Sequence, residues 1–171
     1  MSYTILEYKT LDSTNTFLKQ YHGALSHLTF LRSRHQTAGR GQFDRTWSSN
    51  PNENILVSVL LKDIPLNRVE HHKKWIEQGI VTFLNNHGYV TTFKAPNDIY
   101  VNSKKICGIL TETQSDALKF TYVVIGVGLN VNQTEFNGLN ATSMRLESNK
   151  HYDIDALFGA LIQTWLTNYG D

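Results

Sequence analysis

The chain has 171 residues, of which 40% are hydrophobic, so a single domain with one core is expected. Its formal net charge of +1 excludes a global electrostatic attraction to nucleic acid or to an anionic membrane surface. A single cysteine excludes an internal disulfide, and no stretch approaches the roughly 18 apolar residues of a membrane helix. The start "MSYTILEYKTLDSTN" also lacks signal-peptide features. These features predict a cytoplasmic protein with no nucleic-acid or membrane partner.

The first half of the chain alternates strands and helices around one long loop. A strand over 3–9 is followed by a helix that begins behind Asp12 or Ser13, either of which can cap its free amides, and ends near Tyr21. A second strand over 28–35 leads into a polar loop over 36–54 that has no apolar period. The sequence then predicts a strand over 55–62 and a helix from Val69 to His87, ended by Gly88.

The second half is dominated by strands. Four further strands are predicted over 89–94, 99–101, 105–113 and 120–132, with the middle pair joined as a hairpin. A closing amphipathic helix begins behind Asp153 and reaches Trp165. We therefore predict one α+β domain over 1–171, with a mostly antiparallel sheet and helices packed on one face.

The long loop carries the first candidate binding residues. Glycines at 39 and 41 allow close approach of a ligand, and Arg40 and Arg45 offer planar forks for carboxylate or phosphate. Trp47, just beyond them, is either a core residue or a ring on which a base stacks. Taken alone, the segment is equally consistent with a flexible loop, and it lacks the spacing of a Walker A motif.

Two later segments add a carboxylate and room for a ligand. Asp98, in "PND", either starts a turn or binds a hydrated Mg²⁺ that bridges phosphates. Gly126 and Gly128 lie two positions apart on one strand, where a flat ligand against the sheet would need the room.

Cys107 suggests a thioester nucleophile with Lys105 on the same face, although a small buried hydrophobe is the favoured interpretation. The seven histidines show no paired metal-ligand spacing, and we expect no tightly bound metal.

Five ordered blocks together resemble the biotin protein ligases. They are "LDSTN", "QTAGRG" followed by "RTW", "PNDIYVNSKKICGIL", "VVIGVGLNVN" and "NATSM", from about Thr10 to Met144. The resemblance implies the catalytic-domain fold that these enzymes share with lipoate ligases and class II aminoacyl-tRNA synthetases. It also implies that biotin and MgATP form biotinyl-5′-AMP, which acylates one lysine of a biotin carboxyl carrier protein domain.

The resemblance assigns roles residue by residue. It implies biotin contacts at Ser13, Thr14, Asn15, Gln36, Gly39, Arg40, Lys105, Gly108, Leu110, Gly126 and Gly128. It implies ATP contacts at Arg40, Arg45, Trp47, Lys94, Asn97 and Asn130. Lys105, Arg40 and Asp98 are the implied catalytic residues, with Asp98 also the candidate Mg²⁺ ligand and a candidate acceptor of the lysine proton.

Two positions depart from the family pattern. Gln42 stands where a second arginine is common, and loss of a charge-assisted hydrogen bond costs about 1.5–3 kcal/mol. We expect weaker retention of the adenylate and some acylation of bystander lysines. Ala95 stands where a tryptophan is usual, which either leaves a cavity in the core or is filled by other residues.

Further expectations follow from the same comparison. We expect no DNA-binding domain before the catalytic region and no C-terminal SH3-like barrel, while an exposed sheet edge allows a homodimer. Two alternatives stay open: a lipoate or octanoate ligase of the same fold, and a catalytically weak biotin-binding protein.

Overall fold

The computed structural model describes residues 2–170 and contains a seven-stranded sheet in the order β1-β2-β3-β7-β6-β5-β4. The strands are β1 Thr4–Tyr8, β2 Thr29–Ser33, β3 Asn54–Pro65, β4 Thr91–Lys94, β5 Asp98–Val101, β6 Lys104–Ser115 and β7 Lys119–Asn130. Only β1 and β2 pair in parallel; the other neighbours are antiparallel. The predicted α+β fold with a mostly antiparallel sheet is confirmed.

Helices cover both faces of the sheet unequally. They are α1 Thr14–Tyr21, α2 Val69–Asn86, α3 Met144–Ser148 and α4 Ile154–Thr167. The two long helices, α2 and α4, pack on one face over the large core, as predicted. The short α1 lies on the opposite face, where Leu18 packs in a smaller cluster with Leu31, Leu60 and Val124. The sequence did not predict this second layer. Because α1 is short, it leaves much of that sheet face uncovered by helices.

Local capping signals set the helix ends. The Ser13 hydroxyl accepts from the Thr16 amide at 3.3 Å, so Ser13 rather than Asp12 caps α1. The Asp153 carboxylate accepts from two amides at the start of α4, at 2.9 and 3.1 Å. Gly88 follows α2 with a φ of +87°, a conformation that favours glycine. These helix boundaries were readable from single residues because caps are local interactions.

A β-bulge in β6 overturns one prediction. Lys105 pairs with Tyr100 while Cys107 pairs with Ile99, so one extra residue interrupts the alternation of side chains. Cys107 therefore points into the helix-covered core, whereas Lys105 lies beside Gly108 on the other face. The expectation that Lys105 and Cys107 share a face was wrong.

The same geometry decides the role of Cys107. Its side chain is fully buried, and burial raises the pKa of its thiol above the ordinary value. A thiol that stays protonated in an apolar core is not a nucleophile. The interpretation of Cys107 as a small buried hydrophobe is confirmed.

No helix among residues 2–170 is long and apolar enough to cross a membrane.

Packing of α2 on α4 depends on the absence of a side chain at Gly79. A Cβ there would lie less than 3.0 Å from the Trp165 ring, whose indole nitrogen donates to the Ile76 carbonyl at 3.0 Å. Gly79→Ala should therefore lower the free energy of unfolding by about 1–3 kcal/mol, measured by urea denaturation.

Gly159 provides the matched control for this substitution. It lies in α4 with no atom within 4 Å of an added Cβ. Gly159→Ala should leave stability unchanged or raise it by about 0.4–1 kcal/mol. Equal effects of the two alanines would contradict the packing account.

Candidate functional site

A cavity of about 380 Å³ opens on the face of the sheet that carries α1. The start of α1, the loop over 36–48, strands β5 to β7 and the segment 136–141 enclose it. It brings together residues that lie far apart in sequence, and most of them were predicted site residues. Those are Ser13, Thr14, Asn15, Gln36, Arg40, Arg45, Trp47, Asn97, Asp98, Lys105, Gly108, Leu110, Gly126, Gly128 and Asn130.

Part of the long loop, over 39–47, forms a small hairpin. Arg40 bridges Thr46, and the Gly41 amide donates to the Arg45 carbonyl at 2.7 Å. The Trp47 amide donates to the Gly39 carbonyl at 2.9 Å, and a Cβ at Gly39 would collide with the Trp47 backbone. The loop predicted to lack structure therefore has its own hydrogen bonds, which present both arginines to the cavity.

The Trp47 ring lies on the sheet floor of the cavity. Added Cβ atoms at Gly108 and Gly128 would both lie less than 3.0 Å from its indole. The indole nitrogen is buried and has no hydrogen-bond partner among residues 2–170. Trp47 is thus a cavity residue rather than a core residue, and its free donor faces no protein acceptor. The room that the sequence predicted for a flat ligand over Gly128 is filled by this ring.

An ion pair occupies the middle of the cavity. Lys105 Nζ lies 2.7 Å from Asp98 Oδ1 and 5.4 Å from the centre of the Trp47 ring. Asp98 is held opposite Gly108 by pairing of β5 with β6, and the Asn97 side chain donates to the Ile109 carbonyl at 3.0 Å. Asn97 therefore fixes the turn that carries Asp98. The Lys105 ammonium is placed to approach an anion bound in the cavity.

The deep end of the cavity is a polar network. Gln36 Oε1 accepts from the Thr14 amide at 2.8 Å, and the Thr14 hydroxyl lies 3.0 Å from the same oxygen and 2.7 Å from Ser58 Oγ. Ser58 donates to Asn15 Oδ1 at 2.6 Å. The Thr14 hydroxyl has one proton for two acceptors, so this network has spare acceptor capacity for a ligand.

Ser58 was not predicted as a site residue. It is 1% exposed and lies within the apolar run "ILVSVLLK" of β3. A lone serine in a buried strand was the available signal, because a buried hydroxyl needs a partner.

Glu112 on β6 was also missed. Its Oε1 accepts from Lys19 at 2.6 Å and from Arg40 at 2.9 Å, and its Oε2 accepts from Asn15 at 2.9 Å. Burial raises the pKa of this carboxyl, but hydrogen bonds from Lys19 and Asn15 outweigh burial and hold it below the ordinary value. Glu112 is therefore ionised at neutral pH and joins α1 to the hairpin.

Comparison with known proteins identifies the family of this arrangement. Residues 7–130 match the biotin/lipoate A/B protein ligase family. The chain belongs to this family. It is 40% identical over 100 residues to the bifunctional ligase/repressor BirA of Bacillus subtilis, a match that covers 57% of this chain and 31% of that protein. It is 31% identical over 113 residues to the biotin–[acetyl-CoA-carboxylase] ligase of Mycobacterium tuberculosis, covering 60% and 39%. The matched stretch thus spans about a third of these relatives.

Solved structures agree with the sequence match. The biotin protein ligase of Aquifex aeolicus in complex with biotin and ATP superposes with a TM-score of 0.82 at 26% identity, covering 96% of this chain and 69% of that one. The biotin protein ligase of Leishmania major in complex with biotinyl-5-AMP has a TM-score of 0.75 at 22% identity, covering 96% and 74%. The second likeness shows the fold alone.

Some expected ligase residues lie outside the cavity lining. Gly39 supports the hairpin, and Lys94 is exposed with its ammonium 5.2 Å from the Tyr100 ring. Asn130 lines the cavity, but its amide donates to the Thr142 carbonyl at 3.0 Å and so holds the wall. Ala95 is exposed, so its departure from the family tryptophan leaves no cavity in the core.

The wall over 136–141 contributes lining residues that the sequence analysis did not assign. Phe136, Leu139, Asn140 and Ala141 face the cavity. The Lys105 amide donates to the Asn140 carbonyl at 3.1 Å, so this segment is tied to the central lysine. Its position depends on tertiary contacts, because the segment has no periodic pattern of its own.

Contact between Trp47 and Gly128 predicts a spectroscopic effect. Gly128→Ala should displace the indole from the floor, because the added Cβ would lie 2.7 Å from its nitrogen. Trp75 and Trp165 are 5% and 1% exposed, so acrylamide quenching of fluorescence reports mainly on Trp47. The quenching constant should rise by about twofold or more, in line with overpacking that forces side chains to move.

Gly23→Ala is the control, since no atom lies within 4 Å of an added Cβ there. Unchanged quenching in Gly128→Ala would show that the ring does not depend on this glycine.

Proposed function

We propose that this chain activates biotin with ATP, forming biotinyl-5′-AMP and pyrophosphate, and then transfers the biotinyl group to a lysine of a biotin carboxyl carrier protein domain. The observation that carries the proposal is the position of Lys105. The Lys105 side chain lies in a cavity that has polar groups at its deep end and is lined by the two arginines of the hairpin. Membership of the ligase family and the Aquifex aeolicus structure with biotin and ATP support the substrates.

The deep polar end suits a cyclic urea. Ureido N–H groups need acceptors and the ureido oxygen needs donors, and Ser13, Thr14 and Gln36 supply hydroxyl and amide groups at this end. A lipoyl or octanoyl chain would cover this network without supplying a donor to its spare acceptor, which costs free energy. The polar network therefore favours biotin over the lipoate alternative. Trp47 is proposed to stack on adenine, as the family resemblance implies.

Charge in the cavity suits the first half-reaction. An oxygen of the biotin carboxylate attacks the α-phosphate, and the bond from that phosphorus to the pyrophosphate oxygen breaks. Two anions repel each other, and Lys105, Arg40 and Arg45 all line the cavity where they would meet. Cationic groups fixed before the reaction stabilise charge that develops in the transition state.

Magnesium enters as part of the ATP substrate. Among residues 2–170 no group of three or more His, Cys, Asp or Glu side chains is arranged to hold a metal. Asp98 is a single carboxylate in the cavity, which fits an ion that takes one protein ligand together with phosphate oxygens and waters. When bound, Mg²⁺ would neutralise phosphate charge.

The second half-reaction transfers the acyl group. The carrier lysine amine attacks the acyl carbon, the bond to the phosphate oxygen breaks, and AMP leaves. A lysine amine with a pKa near 10.4 is mostly protonated at pH 7, so its proton must be removed. Asp98 is the proposed acceptor of that proton, since its carboxylate lies within the cavity.

The lone buried Cys107 supports a reducing, cytosolic setting for this reaction.

Biotin-dependent exchange of pyrophosphate into ATP tests the activation step. The parent chain should exchange, and Lys105→Ala should lower kcat/KM by at least about a hundredfold, because it removes a charge that acts in the transition state. Lys104→Ala, which changes the exposed neighbour, is the matched control. Exchange with lipoate instead of biotin would establish the alternative ligase, and binding of biotin without exchange would establish a binding protein.

Gln42 lines the cavity, which gives its departure from the family a measurable consequence. Gln42→Arg should slow release of biotinyl-AMP by about tenfold or more, because it restores a charge-assisted hydrogen bond. Labelling of bystander lysines on an added inert protein should fall in proportion. Gln20→Arg adds the same charge on an exposed position of α1 and should change neither rate. Equal release from the parent and Gln42→Arg would refute this role.

A further inference from the structure

We propose that Glu112 is a positioning residue that anchors the hairpin over 39–47 across the cavity by holding Arg40. The consequence for ligand binding rests on the proposed function, whereas the anchoring itself does not.

The hairpin has few polar ties to the rest of the molecule. Its backbone hydrogen bonds join Gly39 to Trp47 and Gly41 to Arg45, and so lie within the hairpin. Within residues 2–170, the contact of Arg40 Nη1 with Glu112 Oε1 at 2.9 Å is the one ion pair made by this hairpin. The Arg40 side chain is 43% exposed, and Glu112 is its one hydrogen-bonded side-chain partner among residues 2–170. The direction of the Arg40 side chain therefore depends on Glu112.

Glu112 is itself held rigidly. Its side chain is 18% exposed, and Lys19 and Asn15 bind its two oxygens at 2.6 and 2.9 Å. Lys19 balances its charge independently of Arg40, so Glu112 stays ionised and fixed when the hairpin moves. A carboxylate that is fixed in this way gives the Arg40 side chain one preferred hydrogen-bonded position.

The anchor is connected to the deep end of the cavity. Asn15 reaches both Glu112 and Ser58, and a Cβ at Gly126 would occupy the space of the Asn15 amide. Ser58 in turn contacts Thr14, which contacts Gln36. One continuous polar network thus joins the proposed ureido site to Arg40.

Trypsin measures the anchor directly, because Arg40 and Arg45 are cleavage sites within the hairpin. The full chain carrying Glu112→Gln should be cut there about five times faster than the parent without any ligand, with the sites located by mass spectrometry. Glu70→Gln is the matched control: the same substitution breaks an exposed ion pair with Lys73 on α2 but leaves Arg40 on Glu112, and its hairpin cleavage should stay within about twofold of the parent. Unfolding temperatures of both variants show whether global unfolding contributes.

A double-mutant cycle isolates the pair. Arg40→Gln should speed cleavage after Arg45 as much as Glu112→Gln does, and the double variant should be no faster than either single variant. Additive effects would overturn the proposal, as would parent-like cleavage of Glu112→Gln or cleavage of Glu70→Gln as fast as that of Glu112→Gln.

The exchange reaction adds a readout that general destabilisation does not move in this way. Glu112→Gln should lower kcat/KM for biotin by about tenfold, because it displaces Arg40, and Glu112→Asp should recover part of the loss. If the parent shows no exchange, the proposed function fails, but the trypsin experiment still decides whether Glu112 anchors the hairpin. If the parent exchanges normally and kcat/KM is unchanged in Glu112→Gln, the positioning role is refuted and the function stands.

Discussion

The β-bulge at the start of β6 is the constraint on which the site depends. Without the extra residue between the pairings of Lys105 and Cys107, strict alternation would place both side chains on one face. The bulge sends Cys107 into the helix-covered core and leaves the Lys105 ammonium 2.7 Å from Asp98 in the cavity. Pairing of Asp98 with Gly108 then fixes the acid beside the lysine. One irregularity in the strand pairing therefore separates the core-facing side of β6 from the side that faces the cavity.

Glycines in the strands below the cavity make room for the side chains of Trp47 and Asn15. Gly108 and Gly128 let the Trp47 ring lie against the sheet, while Gly126 lets Asn15 reach across to Ser58 and Glu112. The floor thus includes side chains from a loop and a helix beside strand side chains such as that of Leu110.

Residues far apart in sequence supply different chemical groups to the cavity. Hairpin arginines and Lys105 provide positive charge, the start of α1 provides hydroxyl and amide groups, and the wall over 136–141 is tied to the Lys105 backbone. The network from Gln36 to Arg40 runs through Ser58 and Glu112, two residues with no motif of their own. Motif residues line the cavity here, and residues outside the motifs hold them in place.

The amino-acid sequence by itself determined the α+β class, the cap at Asp153 and most of the cavity lining, because periodicity, capping and motif residues are local properties. The choice of Ser13 over Asp12 as the cap of α1 needed the structure. Tertiary structure alone decided the faces of Lys105 and Cys107, since a bulge depends on the partner strand. It also decided the second layer formed by α1, the filled space over the glycines, and the exposed position of Ala95. Glu112 and Ser58 joined the polar network behind the cavity only when folding brought them to Asn15, because their hydrogen bonds join positions distant in the chain.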